Sequence, residues 1–470
     1  MKRFWSIRRP TNTSNVSTNN LERPACPLDP LVNRTIEFAY RGVRLKFDLS
    51  HALFSSYDID AGTRLLLREI AHEPGIVEAK RVLDAGCGTG VIGVSLAASC
   101  PGMDVVMRDR DLRAVAFASR NARRNQLDCT WYDFEGNTLE PCAKPPFGKI
   151  KVKPRTSSVL IAAPGMLGQQ DPLAPYDAVI SNLPAKAGPK LLADYAAHVA
   201  EELLRPQGLY AFVIVAPLAD QAVGWCTSAG FSILRTIATK NHLVCIARNE
   251  RTEAVQKSAQ STGGGGIESA SWFSRYVRSH SHCTISGANL AWDGIQGLPE
   301  FDEPSFAIRC ALEAARSAFA GLLVRRLLIF EPGAGIAALW AHKVLGPAEI
   351  VLKSHDLLSL SATSWNLKKT SASAPRCIQE PFALGRASND GLDDASFDAV
   401  FVFPEQIPQY DIPAHYWSQV RHSLKRGGSV IFASDATTID RILRAKPEGF
   451  SRLPVNERRK GWESIAFRRD

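Results

Sequence analysis

The sequence is short of several things, and each shortage narrows the field. Nowhere in its 470 residues does an apolar run approach the ~18 residues that cross a bilayer, so no membrane-spanning helix is expected. Ten cysteines are present, but none form a Cys-x-x-Cys pair. That spacing argues against a zinc site or a disulfide framework and points to reduced intracellular thiols; no metal is expected. Cys87, Cys129 and Cys245 sit in or beside apolar segments, as buried thiols do. The first twenty residues, MKRFWSIRRPTNTSNVSTNN, contain no acid and no apolar core. A secretory signal is not expected of this stretch, and residues 1–28 read as a disordered basic tail, with a mitochondrial transit peptide as the alternative to a cytoplasmic chain.

What is present is a chain too long for one ordinary core, so two or three domains are expected. Apolar residues make up 45% and charged residues 22%, the balance of a globular protein. Fifty-six Lys and Arg against 47 Asp and Glu leave a formal charge of +9, which permits an anionic partner such as nucleic acid. The stretch 249–272 begins NERTEAVQKSAQSTGGGG, polar and Gly-rich, and reads as a flexible linker between domains at 29–248 and 273–470.

The same order of features appears on both sides of that linker. FAYRGVRLKF (38–47) matches CTISGANLAW (283–292), with Gly42 and Gly287 at 287 − 42 = 245. MRDRDLRAVAFASRNARRN matches LKSHDLLSLSATSWNLKKT, where Asp111 and Asp356, then Asn121 and Asn366, repeat that offset. YDAVISNLPAKAG (176–188) matches FDAVFVFPEQIP (397–408) at 397 − 176 = 221. The first half therefore holds about 24 extra residues, and PCAKPPFGKIKVKPRTSSVLIAAPG (141–165) is the expected insert. Each half also alternates apolar strands with helices. In the first, RVLDAGCG, DVVMRD, YDAVISN and GLYAFVIVAP read as strands, and GPKLLADYAAHVAEELL as a helix ended by Pro206 and Gly208. Such alternation predicts a parallel sheet covered on both faces.

Chemistry concentrates in a few places. VLDAGCGTG puts Asp84, Gly86, Gly88 and Gly90 directly after a strand. Glycines let the backbone turn tightly and approach a ligand, and the helix that follows aims free N–H groups there. GTGVIG (88–93) fits a dinucleotide pattern, but the acid at the strand tip suits a cationic or amine-bearing ligand better than a pyrophosphate. Asp109 ends the next strand, where a carboxylate can take both ribose hydroxyls; Asp111 is the alternative helix cap. CTWYDFEGN (129–137) is expected near an adenine, with Asp133 accepting from its amine and Phe134 packing on its ring.

Taken together, D-x-G-x-G-x-G, the later acid and the strand-Asn-x-Pro phrase resemble class I S-adenosylmethionine-dependent methyltransferases over roughly residues 35–248. More narrowly they are similar to the "methyltransferase small" family, which includes two-domain ribosomal RNA guanine-N2 enzymes with one degenerate domain. FSSYDIDAGTRLLL (54–67) is similar to that family's lead-in. The resemblance implies an α/β chain of two tandem Rossmann-like domains with seven-stranded, mostly parallel sheets, the second degenerate. It implies S-adenosylmethionine as cofactor and RNA as partner; no membrane attachment is expected, and of the oligomeric states the sequence leaves open a monomer is favoured.

On that resemblance Asn182, Leu183 and Pro184 are the catalytic phrase. An exocyclic amine is a poor nucleophile because its lone pair is delocalised. The Asn182 carbonyl and the Leu183 backbone carbonyl would accept its two N–H bonds, and Pro184 would stiffen the turn. A turn-forming Asn at a strand end is the plainer reading. In the family the phrase is usually Asn-Pro-Pro and an aromatic; here Leu183 replaces a proline and Ala185 stands where a stacking ring is expected. Phe54 or Tyr57 would supply the platform, unless both are core residues. Lys186, the alternating Lys149, Lys151 and Lys153, and Arg120, Arg123 and Arg124 would touch phosphate or simply be solvated. In the second half Glu331, Gly333 and Gly335 read as surviving, with Ala337 at the third glycine, Ser354 at the ribose acid and Phe403 at the amide. That half is expected not to catalyse. A protein glutamine methyltransferase and a non-catalytic binding scaffold stay open as alternatives.

Overall fold

The computed structural model describes residues 28–132, 138–139, 159–252, 270–370, 372–380 and 395–470. The tail 1–27, the linker stretch 253–269, Asp133 and Phe134, and the lysines at 149, 151 and 153 lie outside the described residues.

Each half opens on a hairpin, β1 (Val32–Tyr40) with β2 (Val43–Ser50), and β12 (Val277–Ile285) with β13 (Ala288–Ile295). Both turn on an L residue and a glycine with positive φ: Arg41 and Gly42 at 46° and 80°, Ser286 and Gly287 at 48° and 81°. Two such residues make the tight turn whose twist matches a hairpin.

After the first hairpin come α1 (Ala61–Ile70), β3 (Arg81–Ala85), α2 (Val91–Ser99), β4 (Asp104–Asp109), α3 (Leu112–Arg124), β5 (Thr130–Tyr132), β6 (Thr138–Leu139), β7 (Leu160–Pro164), β8 (Tyr176–Asn182), α4 (Pro189–His198), β9 (Leu204–Val215), α5 (Ala219–Ser228), β10 (Phe231–Ala238) and β11 (His242–Asn249). The sheet runs β10-β11-β9-β8-β3-β4-β7-β5-β6. Strands β7, β4, β3, β8 and β9 are parallel, and the hairpin β10–β11 adds two antiparallel strands, completing the seven expected. Strands β5 and β6 extend the edge.

The second half repeats the plan: α6 (Phe306–Ala318), β14 (Arg326–Phe330), α7 (Ile336–Val344), β15 (Glu349–Ser354), α8 (Leu357–Lys368), β16 (Arg376–Gln379), β17 (Phe397–Val402), α9 (Ile412–Ser423), β18 (Leu424–Asp435), α10 (Ala436–Arg444), β19 (Phe450–Arg459) and β20 (Trp462–Arg469). Among the described residues its sheet is seven-stranded, β16-β15-β14-β17-β18-β20-β19. Central strands such as β8 and β17 are buried on both faces, which is why they read as unbroken apolar runs.

Two expectations are corrected here. The insert does not reach residue 165. Strand β7 pairs with β4 as β16 pairs with β15, so 160–164 belongs to the shared sheet and the surplus lies before it, taking in β5 and β6. The helix after β8 covers the expected span but does not stay α-helical, nor do Pro206 and Gly208 act as its stop. It passes through a π turn at Val199–Leu203, and Pro206 and Gly208 lie within β9 at an irregular step of its pairing with β8.

Repeated side-chain clasps account for much of the sequence echo. Asn121 accepts the Asp48 N–H at 2.8 Å and donates to the carbonyls of Asp48 and Thr89 at 3.0 and 2.8 Å. Asn366 does the same with Asp293 and Ala334, at 2.8, 3.1 and 2.8 Å. Each amide thus ties a hairpin to the glycine turn. The Asp-Ala-Val echo has a like cause. Asp177 accepts the N–H groups of Lys80 and Arg81, and Asp398 those of Arg325 and Arg326. Each carboxylate fixes the start of the central strand.

Candidate active site

The glycine turn joins β3 to α2, where open α/β sheets receive ligands. Gly86, Gly88 and Gly90 all have positive φ, 77°, 53° and 81°. Their surroundings divide them. A Cβ on Gly90 would meet the Ala118 Cα at 2.9 Å, so this glycine serves helix packing. A Cβ on Gly86 or Gly88 would meet nothing within 4 Å. Their backbone borders open space, as a turn that a ligand approaches requires.

Asp84 lies fully buried beneath this turn. Its Oδ2 accepts the Gly93 N–H at 2.8 Å, and its Oδ1 has no partner. Burial pushes its carboxyl up to about 7, against the Gly93 hydrogen bond and with help from the Asp109 charge. Asp109 takes the N–H of Gly88 at 2.9 Å on Oδ2 and that of Asp111 at 3.0 Å on Oδ1. Burial raises it to about 6. Two elevated carboxylates around a bare turn fit a ligand that brings a cationic amine and hydroxyl donors. The residues therefore suit S-adenosylmethionine. The structure also settles the role of Asp111: its side chain caps α3 by accepting the Arg113 N–H at 2.9 Å. Strand β7, next to β4, brings Gly165 and the buried Met166 beside Asp109, where the Gly165 N–H reaches the Asp109 carbonyl at 2.9 Å. The adenine contacts expected of Asp133 and Phe134 fall on residues outside those described.

Asn182 ends β8, across β3 from Asp109. Its Nδ2 donates to Asp60 Oδ2 at 3.0 Å and to Thr63 Oγ1 at 2.9 Å. Because a carboxylate only accepts, the amide's orientation is fixed with Oδ1 turned away from these two. Asp60 caps α1, taking the Thr63 N–H at 3.1 Å. The two supports stand in the quoted lead-in and carry the Asp-x-x-Thr spacing of a helix start, the signal that could have found them. Leu183 is buried and anchored through its N–H to the Val213 carbonyl at 2.9 Å, while Pro184 is exposed with φ −74°.

Phe54 and Tyr57, on the loop leading into Asp60, are 79% and 67% exposed, so neither is a core residue. The arginines of α3 have structural partners instead of open faces. Arg120 and Arg124 pair with the buried Asp48, and Arg123 donates to the Cys129 carbonyl. Among the described residues no His, Cys, Asp or Glu cluster suits a metal, eight cysteines are free thiols, and no helix is long and apolar enough to cross a membrane.

Residues 44–151 match the family described as the methyltransferase small domain. Over 136 residues, 27% of this chain and 34% of that protein, it is 40% identical to the ribosomal RNA large subunit methyltransferase G of Streptomyces avermitilis. It is 36% identical over 84 residues, 18% of this chain and 23% of that protein, to the ribosomal RNA small subunit methyltransferase C of Hahella chejuensis. The chain thus spans only about a third or less of the length of these curated relatives. A solved T. thermophilus 16S rRNA N2 methyltransferase, in complex with AdoMet and guanosine, superposes with a TM-score of 0.54 at 17% identity, covering 93% of this chain and 98% of that one. That likeness extends the shared fold across both halves.

The second half carries a turn at the corresponding place. Gly335 caps α7 with φ 90° against Thr363, as Gly90 caps α2 against Ala118; the offsets are 335 − 90 and 363 − 118, both 245. This register moves Glu331 from the expected acid position to that of Gly86, and Asp84 corresponds to Ile329. Glu331 holds φ 52° and sends its carboxylate to Ser354 Oγ at 2.6 Å. Only about 20 Å³ remains between Glu331, Lys353, Ser354 and Glu380, room for a water and not a nucleoside. Phe403, at the amide position, stacks on Phe401 with centroids 6.1 Å apart.

Proposed function

We propose that the chain is an S-adenosylmethionine-dependent N-methyltransferase acting on an exocyclic amine in RNA, with guanine N2 of ribosomal RNA as the target. The observation that carries this reading is Asn182. Its NH2 is pinned by Asp60 and Thr63, which leaves a rigid carbonyl acceptor at the strand tip beside the glycine turn. An acceptor so held takes an amine N–H and turns the nitrogen lone pair out of conjugation. The Leu183 carbonyl takes the second N–H, and Pro184 stiffens the turn between them. Asp84 Oδ1 holds the cofactor's ammonium and Asp109 its ribose hydroxyls, while Met166 closes the adenine side. Bound S-adenosylmethionine supplies an electrophilic methyl on a sulfonium. The residues contribute position and a fixed dipole, the main sources of rate where no covalent enzyme step is needed.

Phe54 and Tyr57 take the place of the ring missing at Ala185. An exposed aromatic pair at the mouth favours a flat base over a glutamine side chain, because a base gains from stacking. The relatives that the first half matches are named as ribosomal RNA methyltransferases, and the T. thermophilus neighbour holds guanosine, in keeping with this target. The protein would act as a monomer in the cytoplasm. Transfer of labelled methyl to ribosomal subunits, followed by nucleoside mass spectrometry, should yield N2-methylguanosine and lose it on Asn182→Ala. Label entering RNA-free protein instead would identify the glutamine alternative, and cofactor binding without transfer the scaffold.

A further inference from the structure

The two halves meet at corresponding loops. Asp111 and Asp356 form an antiparallel bridge, with the Leu112 N–H on the His355 carbonyl and the Leu357 N–H on the Arg110 carbonyl, both at 3.0 Å. Gln379 straddles the joint, donating to the carbonyls of Arg110 and His355 at 2.9 Å each. Charges follow the backbone. His355 of the second half lies 3.1 Å from Asp111 through Nδ1 and 3.0 Å from Glu405 through Nε2, with Glu331 at 3.7 Å. The buried Arg113 of the first half joins Asp111 at 2.7 Å to Glu405 at 2.6 Å. The mouth of the filled second pocket is thus occupied by side chains of the joint.

This joint is two residues from Asp109, and the Asp111 N–H is one of its two backbone donors. A second contact touches the opposite wall. Gln296 Nε2 donates to the Lys186 carbonyl at 2.8 Å, in the turn directly after Asn182-Leu183-Pro184. It packs against Gly188, where a Cβ would meet Gln296 at 3.0 Å.

We propose that the degenerate half is a clamp that sets the two walls of the first half's site separately, through His355 at the ribose carboxylate and Gln296 at the amine turn. Both are positioning residues. His355 fixes the Asp111 carboxylate and so the N–H that aims Asp109. Gln296 holds the turn that orients Asn182. The inference rests on the cofactor reading above, so wild-type protein is titrated with S-adenosylmethionine first; absence of binding there would sink that reading, not this one.

With wild-type binding in hand, His355→Ala should raise the cofactor Kd by tenfold or more in calorimetry. His355→Gln, which keeps a donor toward Asp111 without the charge, should raise it less. Gln296→Ala should leave the cofactor Kd within twofold and lower kcat for RNA several-fold. Circular dichroism and melting temperature verify the fold, and the comparison uses His355→Gln should His355→Ala not fold. Cofactor Kd unchanged in the His355 variants, or Kd and kcat moving together in both sites' variants, would overturn the proposal, since a merely structural contact would not divide the two parameters.

Discussion

Asp84 has one oxygen bonded and one without a partner in a site where burial holds its carboxyl near 7. The sign of its pH effect follows. The free protein favours the protonated carboxyl, so this residue adds stability as pH falls from about 7 toward its ordinary range near 4. A cationic ligand favours the ionised form, so binding below pH 7 must release a proton. The S-adenosylmethionine Kd should therefore rise as pH drops from 8 to 6, by up to about tenfold per unit below 7, with Asp109 adding to the rise near 6. Calorimetry in two buffers of different ionisation enthalpy reads the proton directly, and Asp84→Asn should abolish its release. At the amine, Asn182→Ala should lower kcat about 10²–10³-fold with little change in cofactor Kd, checked by single-turnover methyl transfer. Asp84, Asp109 and Asn182 were legible because they sit at strand ends behind recognisable spacing. Asp60 and Thr63 were legible only as a helix start, and their bond to Asn182 was not, because it spans 122 and 119 residues. Glu331 misled because Glu-Pro-Gly imitates Asp-Ala-Gly; only the helix packing of Gly335 fixes the register.

Among the elements, the hairpins depend on single amides. Asn121 is buried, and removing it leaves the Asp48 N–H and the Thr89 carbonyl without partners. Asn121→Ala should cost about 1–3 kcal/mol in urea unfolding, and Asn366→Ala a similar amount. Gly90→Ala combines φ 81° with a 2.9 Å approach to the Ala118 backbone and should destabilise by roughly 1–3 kcal/mol or more by the same measurement. Strand and helix alternation was readable from apolar runs. Strand β7 was hidden because LIAAP is short and adjoins a polar, basic stretch; its place is set by pairing with β4, not by local pattern.

Across the whole molecule, the joint between halves is ionic and buried. The Asp111 carboxylate, with those of Glu331 and Glu405, holds the His355 imidazolium well above its ordinary value despite burial and the opposing Arg113 charge. A raised histidine contributes stability that is complete below about 6.5 and lost as pH climbs through the folded value. The joint should thus hold at neutral pH and loosen on alkaline titration, seen as a falling melting temperature that His355→Gln makes flatter. No sequence window could show this network, since Arg113 and Glu405 are 292 residues apart. The reciprocal bonds at Asp111 and Asp356 carry one more consequence. Each half offers the other the same backbone atoms, which is the geometry of an isologous two-fold contact between identical subunits. At this joint the two halves meet as the subunits of a homodimer would, with the self-complementary backbone already satisfied from within. One partner could then lose its pocket while still supplying the dimer surface that the other requires.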